Sequence, residues 1–102
     1  MAITRRPTAR DIGTVFAERA SQEPVVRELW VTEENHGVHL WLLIDPIDDD
    51  DAERALYGLT EVLYERFPEA DFQMHVMNPR DYTADPRRSL LSCAEKIPLR
   101  AP

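Results

Sequence analysis

Ile12, Val15, Phe16 and Ala20 fall three and four residues apart, a single apolar stripe that predicts a helix over residues 9–22. Thr8 stands at the N-cap position and Asp11 in the first turn, where a negative charge opposes the helix dipole. Gly13 weakens the pattern by about 1 kcal/mol, and Pro24 ends it. From Val25 to Thr32 the chain turns β-branched and aromatic, which predicts a strand. Glu33-Glu34-Asn35-His36-Gly37 follows as a polar loop of hairpin length. Val38 to Ile44 then alternates, with Val38, Leu40, Leu42 and Ile44 on one face and His39, Trp41, Leu43 and Asp45 on the other. Because Trp41 and Leu43 are apolar too, the second face is also at least partly covered. That predicts a central strand.

Asp45-Pro46 breaks the chain, and a helix is expected from near Asp48. Ala52, Ala55, Leu56, Leu59, Val62, Leu63 and Phe67 keep a 3.6-residue period until Pro68. Residues 71–77 read as a third strand, with Phe72, Met74 and Val76 opposite Gln73, His75 and Met77, and Asn78-Pro79 stops it. Ser89 to Lys96 reads as a short last helix, and Ile97-Pro98-Leu99 as one more edge segment. The hairpin loop makes the first two strands antiparallel. The helical crossover makes the second and third parallel, with right-handed connection. The expected fold is α/β (α+β), in the order α-β-β-α-β-α with one more β. It is a small mixed three- to four-stranded sheet with helices mainly on one face. Residues 1–8 are expected to be a flexible basic arm, and 9–102 one domain.

The length of 102 residues allows one small core, and 43% hydrophobic with 30% charged residues is ordinary globular usage. No stretch reaches the roughly 18–20 apolar residues that span a bilayer, and no apolar run behind the N-terminal arginines suggests a secretory signal. With a single cysteine, Cys93, the expected compartment is the reducing cytoplasm. The net charge of −7 is unevenly placed: residues 1–10 carry Arg5, Arg6 and Arg10 and no acid, whereas residues 11–79 hold 16 acids against 4 arginines. So acidic a body repels phosphate backbones, which leaves the basic arm as the one segment suited to nucleic acid, as a regulator would use it. Limited burial and two large tryptophans predict a homo-oligomer, a dimer first of all.

Candidate chemistry is sparse. Counted as a calcium loop from Asp48, the Asp48–Asp51 run has Glu53 where glycine is needed and Leu59 where glutamate is needed, so helix capping accounts for it better. His36 and His39 sit in a loop and a strand, where a spacing of three sends them to opposite faces. Cys93 has no histidine nearby in sequence, the serines lack a nucleophile-elbow pattern, and the three isolated glycines cannot assemble a phosphate cradle. No catalytic residue, metal ligand or cofactor is therefore assigned. What remains is a face. By strand parity His39, Trp41, Asp71, Gln73 and His75 share one side, an aromatic and polar surface suited to a protein partner. The plainer alternative packs Trp41 under the first helix or the tail. An enzyme of small molecules or a metal-dependent one would have to use His39, Asp71 and His75.

Several strings resemble the minimal nucleotidyltransferase domain of the polymerase-beta type. They are Val38-His39-Leu40-Trp41-Leu42-Leu43-Ile44-Asp45, the helix ending at Phe67-Pro68, Ala70-Asp71-Phe72 leading to Met77-Asn78-Pro79-Arg80-Asp81, and a tail helix into Lys96-Ile97-Pro98-Leu99. The likeness spans roughly residues 10–100. Active members carry a Gly-Ser turn after the first strand, an Asp-x-Asp pair on the second and a third acid on the next, which hold two magnesium ions. Here the turn reads Thr32-Glu33-Glu34-Asn35-His36, His39 and Trp41 stand in the acid-pair positions, and only Asp71 matches the third carboxylate. The resemblance thus implies a catalytically inactive relative. Because some members of the family work beside a toxin-like partner, it also implies an antitoxin-type role.

Overall fold

The structure is a computed structural model that describes residues 8–34, 37–90 and 92–99. The arm over residues 1–7 and His36 lie outside the described residues. Helix α1 spans Ala9–Ala20, and Thr8 caps it as expected. The Thr8 hydroxyl accepts the Asp11 amide at 3.0 Å, and the Asp11 carboxylate accepts the Thr8 amide at 3.1 Å. Strands β1 (Val26–Glu34) and β2 (Gly37–Ile44) form the antiparallel hairpin. Helix α2 (Asp50–Leu56), a 3-10 turn over Tyr57–Thr60 and helix α3 (Glu61–Arg66) lead to β3 (Phe72–Met77), which runs parallel to β2. Strand β4 (Glu95–Ile97) pairs antiparallel with β1. The fold is α+β, built on a four-stranded mixed sheet in the order β3-β2-β1-β4.

One side of the sheet carries the core. Leu29, Val31, Leu40, Leu42, Phe72, Met74 and Ile97 point to it by register and pack against Ile12, Phe16 and Ala20 of α1 and Leu56, Leu59 and Leu63. The same alternation sends Glu28, Trp30, Thr32, His39, Trp41, Leu43, Gln73, His75, Met77 and Lys96 to the opposite side. The hydrophobic alternation along β2 thus sets which side the helices cover.

Two sequence expectations are corrected. The helix expected from Asp48 to Phe67 is interrupted at Gly58, where the stripe continues but the backbone tightens into the 3-10 turn. It begins at Asp50 because the Asp49 carboxylate accepts the amides of Asp51 and Ala52 at 3.0 and 3.2 Å. The last helix expected over Ser89–Lys96 does not form among its described residues. Pro86–Ser89 makes a 3-10 turn capped by Asp85, Leu90 is extended, and Glu95 and Lys96 belong to β4. Proline at the start of that turn and a lysine drawn into sheet pairing outweigh local helix propensity.

Strand order makes the chain cross the whole sheet between β3 and β4, the strands at its two edges. Fully buried Asn78 anchors the departure: its side-chain amide donates to the Ile47 carbonyl at 2.9 Å, and its Oδ1 accepts the Arg80 amide at 3.3 Å. The Arg80 guanidinium is held by Asp50, by Glu53 at 3.2 Å, by Asp81 at 3.6 Å and by Asp48 at 3.8 Å. So the aspartate run ties the β3 exit to the start of α2. Further on, Pro86 is buried and Arg87 Nη1 reaches Glu28 Oε2 at 3.6 Å, while Lys96 Nζ donates to Glu28 Oε1 at 2.9 Å. Glu28 faces away from the helices, so the crossing segment runs over the second side of the sheet at its Glu28–Leu43–Met77 end. Met77 is accordingly 1% exposed.

Gly13 shows why a helix breaker sits inside α1. A Cβ there would lie 2.7 Å from Val31 Cγ1 and 2.9 Å from Ile97 Cγ1, both stiff branched positions in the sheet. The helix approaches the sheet closely only because glycine has no side chain. We expect Gly13→Ala to destabilise the fold by about 1–3 kcal/mol through overpacking, although alanine favours a helix by about 1 kcal/mol. Urea unfolding would check this, with a gain in stability as the contrary result.

Candidate functional site

The crossing segment leaves the other end of the second sheet side open. There the strand register brings Thr32, His39 and Gln73 into one row, and Trp30, Trp41 and His75 into the next. His39, Trp41 and His75 are partly exposed and Gln73 is exposed. Three rings lie nearly parallel. Trp41 stacks on His75 at 4.1 Å between centroids with 15° between planes, and His75 lies 5.2 Å from His39 at 9°. The Trp41 indole N–H donates to Thr32 Oγ1 at 3.0 Å. That bond satisfies an otherwise buried hydroxyl, since Thr32 is 2% exposed, and it fixes the ring in the plane of the stack.

His39 Nδ1 and His75 Nε2 are 2.9 Å apart, a hydrogen bond in which a single proton lies between the two rings. One ring donates and the other accepts, so the two nitrogens satisfy each other. Glu34 Oε2 lies 3.7 Å from the far nitrogen of His39. Burial pushes the His75 pKa below its ordinary value, the neighbouring His39 lowers it further, and Glu34 opposes both. The arrangement is a preorganised aromatic slab with a polar rim rather than an array of free donors.

Of the residues singled out from sequence, His39, Trp41 and His75 form the stack, and Gln73 flanks it. Asp71 stands apart, just before β3: it is exposed, its carbonyl accepts the Val38 amide at 2.9 Å, and with Glu34, Gly37, His39 and Gln73 it lines a shallow cleft of about 210 Å³. The alternative packing of Trp41 under α1 is excluded, because α1 lies on the other side of the sheet. Thr32 and Glu34 were not foreseen as part of the site. Their signal was the pairing of β1 with β2, which depends on the hairpin register. Among the described residues, no group of three or more His, Cys, Asp or Glu side chains is placed to hold a metal ion. No helix of the described residues is long and apolar enough to cross a membrane. No protein-family model matches the chain, and neither a curated protein nor a solved structure matches it significantly.

The lowered His75 pKa makes a signed prediction. Where the folded pKa lies below the unfolded value of 6.5, the unfolded chain binds more protons in the interval between them. The contribution of His75 to stability is therefore complete above pH 6.5 and is lost as the pH falls through the folded pKa. His75→Phe keeps a ring on Trp41 and removes the titration. Thermal melts between pH 7 and pH 5 should show a flatter decline for this variant than for the parent, and parallel curves would contradict the assignment.

Proposed function

We propose that the chain is a non-catalytic interaction module that binds a protein partner through the open end of its second sheet side, centred on Trp41, His75 and His39. The observation that carries this reading is the stack itself, partly exposed and held rigid by the Thr32 bond and the His39–His75 bond. Rigid aromatic groups that lose little freedom on contact are the usual anchors of protein interfaces. The nucleotidyltransferase resemblance agrees with this reading at two positions: His39 and Trp41, where active members keep their acid pair, are members of the stack. An inactive, antitoxin-like relative is the form the proposal takes within that family. A reducing cytoplasm belongs to the same reading, supported by the free, exposed Cys93.

A photo-crosslinking side chain at Gln73, compared with one at exposed Glu65 on α3, tests the surface in the source cell. One adduct of defined mass from position 73, distinct from the chain joined to a second copy of itself, absent from position 65 and lost with Trp41→Ala, is expected. Equal labelling from both positions would contradict the proposal. Nucleotides and divalent ions should leave the melting temperature unchanged. A ligand at 100 times its dissociation constant stabilises by about 2.7 kcal/mol, a shift of several degrees in so small a domain, and such a shift would favour the enzyme reading with His39, Asp71 and His75.

A further inference from the structure

The two edges of the sheet are unlike each other. Strand β4 is three residues long, carries Glu95 and Lys96, and is followed by Pro98, all devices that discourage pairing with another chain. Strand β3 has six residues, Phe72-Gln73-Met74-His75-Val76-Met77, with no Asp, Glu, Lys, Arg or Pro, in a chain that is 30% charged. Val38 pairs with Phe72, and the Val38 amide donates to the Asp71 carbonyl at 2.9 Å. In a parallel ladder this turns the backbone groups of Asp71, Gln73, His75 and Met77 toward β2 and those of Phe72, Met74 and Val76 outward. Among the described residues, those outward amides and carbonyls have no hydrogen-bond partner.

We infer that β3 is a dimerisation edge, which pairs antiparallel with β3 of a second copy of this chain. One antiparallel register engages all three outward residues: Met74 opposite its own counterpart on the two-fold axis, and Phe72 opposite Val76 of the second copy, twice. Each of these pairs exchanges both N–H···O bonds. On the helix side every cross-strand pair is then apolar. On the other side Gln73 faces His75 of the second copy, with no like charges opposed. The strand is self-complementary, and a two-fold axis requires just that. Charge favours the same place, since copies carrying a net −7 repel wherever their acidic surfaces meet, and β3 is free of charge. Tyr64, 57% exposed and packed 4.5 Å from Phe72, flanks the edge and adds apolar area. The result is a continuous eight-stranded sheet that sets two stacks side by side on one surface. The edge and the aromatic face meet at Gln73 and His75, but this inference rests on the outward backbone groups of β3 and not on the proposed partner.

Light scattering after size exclusion, from low to high micromolar protein, should show twice the chain mass at the upper end. Amide exchange of the same unaltered protein should show the Phe72, Met74 and Val76 amides protected in step with dimer formation. Val76→Pro removes one outward N–H from each copy without touching the ladder to β2, and should raise the dissociation constant by about tenfold or more. Val76→Ala should have a smaller effect. Trp41→Ala should leave the dimer intact while removing the partner adduct, so the two readings fail separately. A monomer at every concentration, a dimer whose Phe72, Met74 and Val76 amides exchange freely, or a folded Val76→Pro variant that dimerises normally would each overturn the inference.

Discussion

A four-stranded sheet has two sides to shield, and the helices of the described residues cover only one. Everything distinctive about the molecule follows from how the second side is handled. Part of it is covered by the crossing segment between β3 and β4, moored by Asn78 at one end and by Glu28 with Arg87 and Lys96 at the other. The rest stays open. There the sequence places neither a plain apolar patch nor a plain polar one, but stacked rings held in place by the His39–His75 and Trp41–Thr32 hydrogen bonds. Such a surface remains soluble when bare and still has a large rigid area to give to a partner.

The core side was legible from residue spacing. The alternation along Val38–Ile44, the capped stripe of α1 and the pairing directions of the strands all emerged from periodicity and loop length, because each is a local property. The aspartates were legible in kind, as helix-starting acids. Their hold on Arg80 was not, since that contact joins residues about 30 apart in sequence. The missing last helix shows the opposite failure. Residues that would suit a helix locally were drawn to the open edge of β1, where sheet pairing offered more than propensity did.

The site was half legible for one geometric reason. A five-residue loop would pair Thr32 with Val38, whereas the strands run to Glu34 and from Gly37, so Thr32 pairs with His39. A slip of one residue turns every side chain of β1 to the other side of the sheet. Strands β2 and β3 could be aligned by parity alone, and that brought His39, Trp41, Gln73 and His75 together correctly. Thr32 and Trp30 needed the register, and Asp71 fell outside because β3 begins one residue after it.

An open stack whose indole senses the charge of the imidazole beside it is what this surface requires. Tryptophan emission of the Trp30→Phe protein, which leaves Trp41 as the reporter, tests this most directly. The expected emission is quenched readily by acrylamide and dims as the pH falls through a midpoint below 6.5, when His75 gains its proton. Emission shielded from acrylamide and indifferent to pH would mean that the ring is buried and the stack is not the surface described.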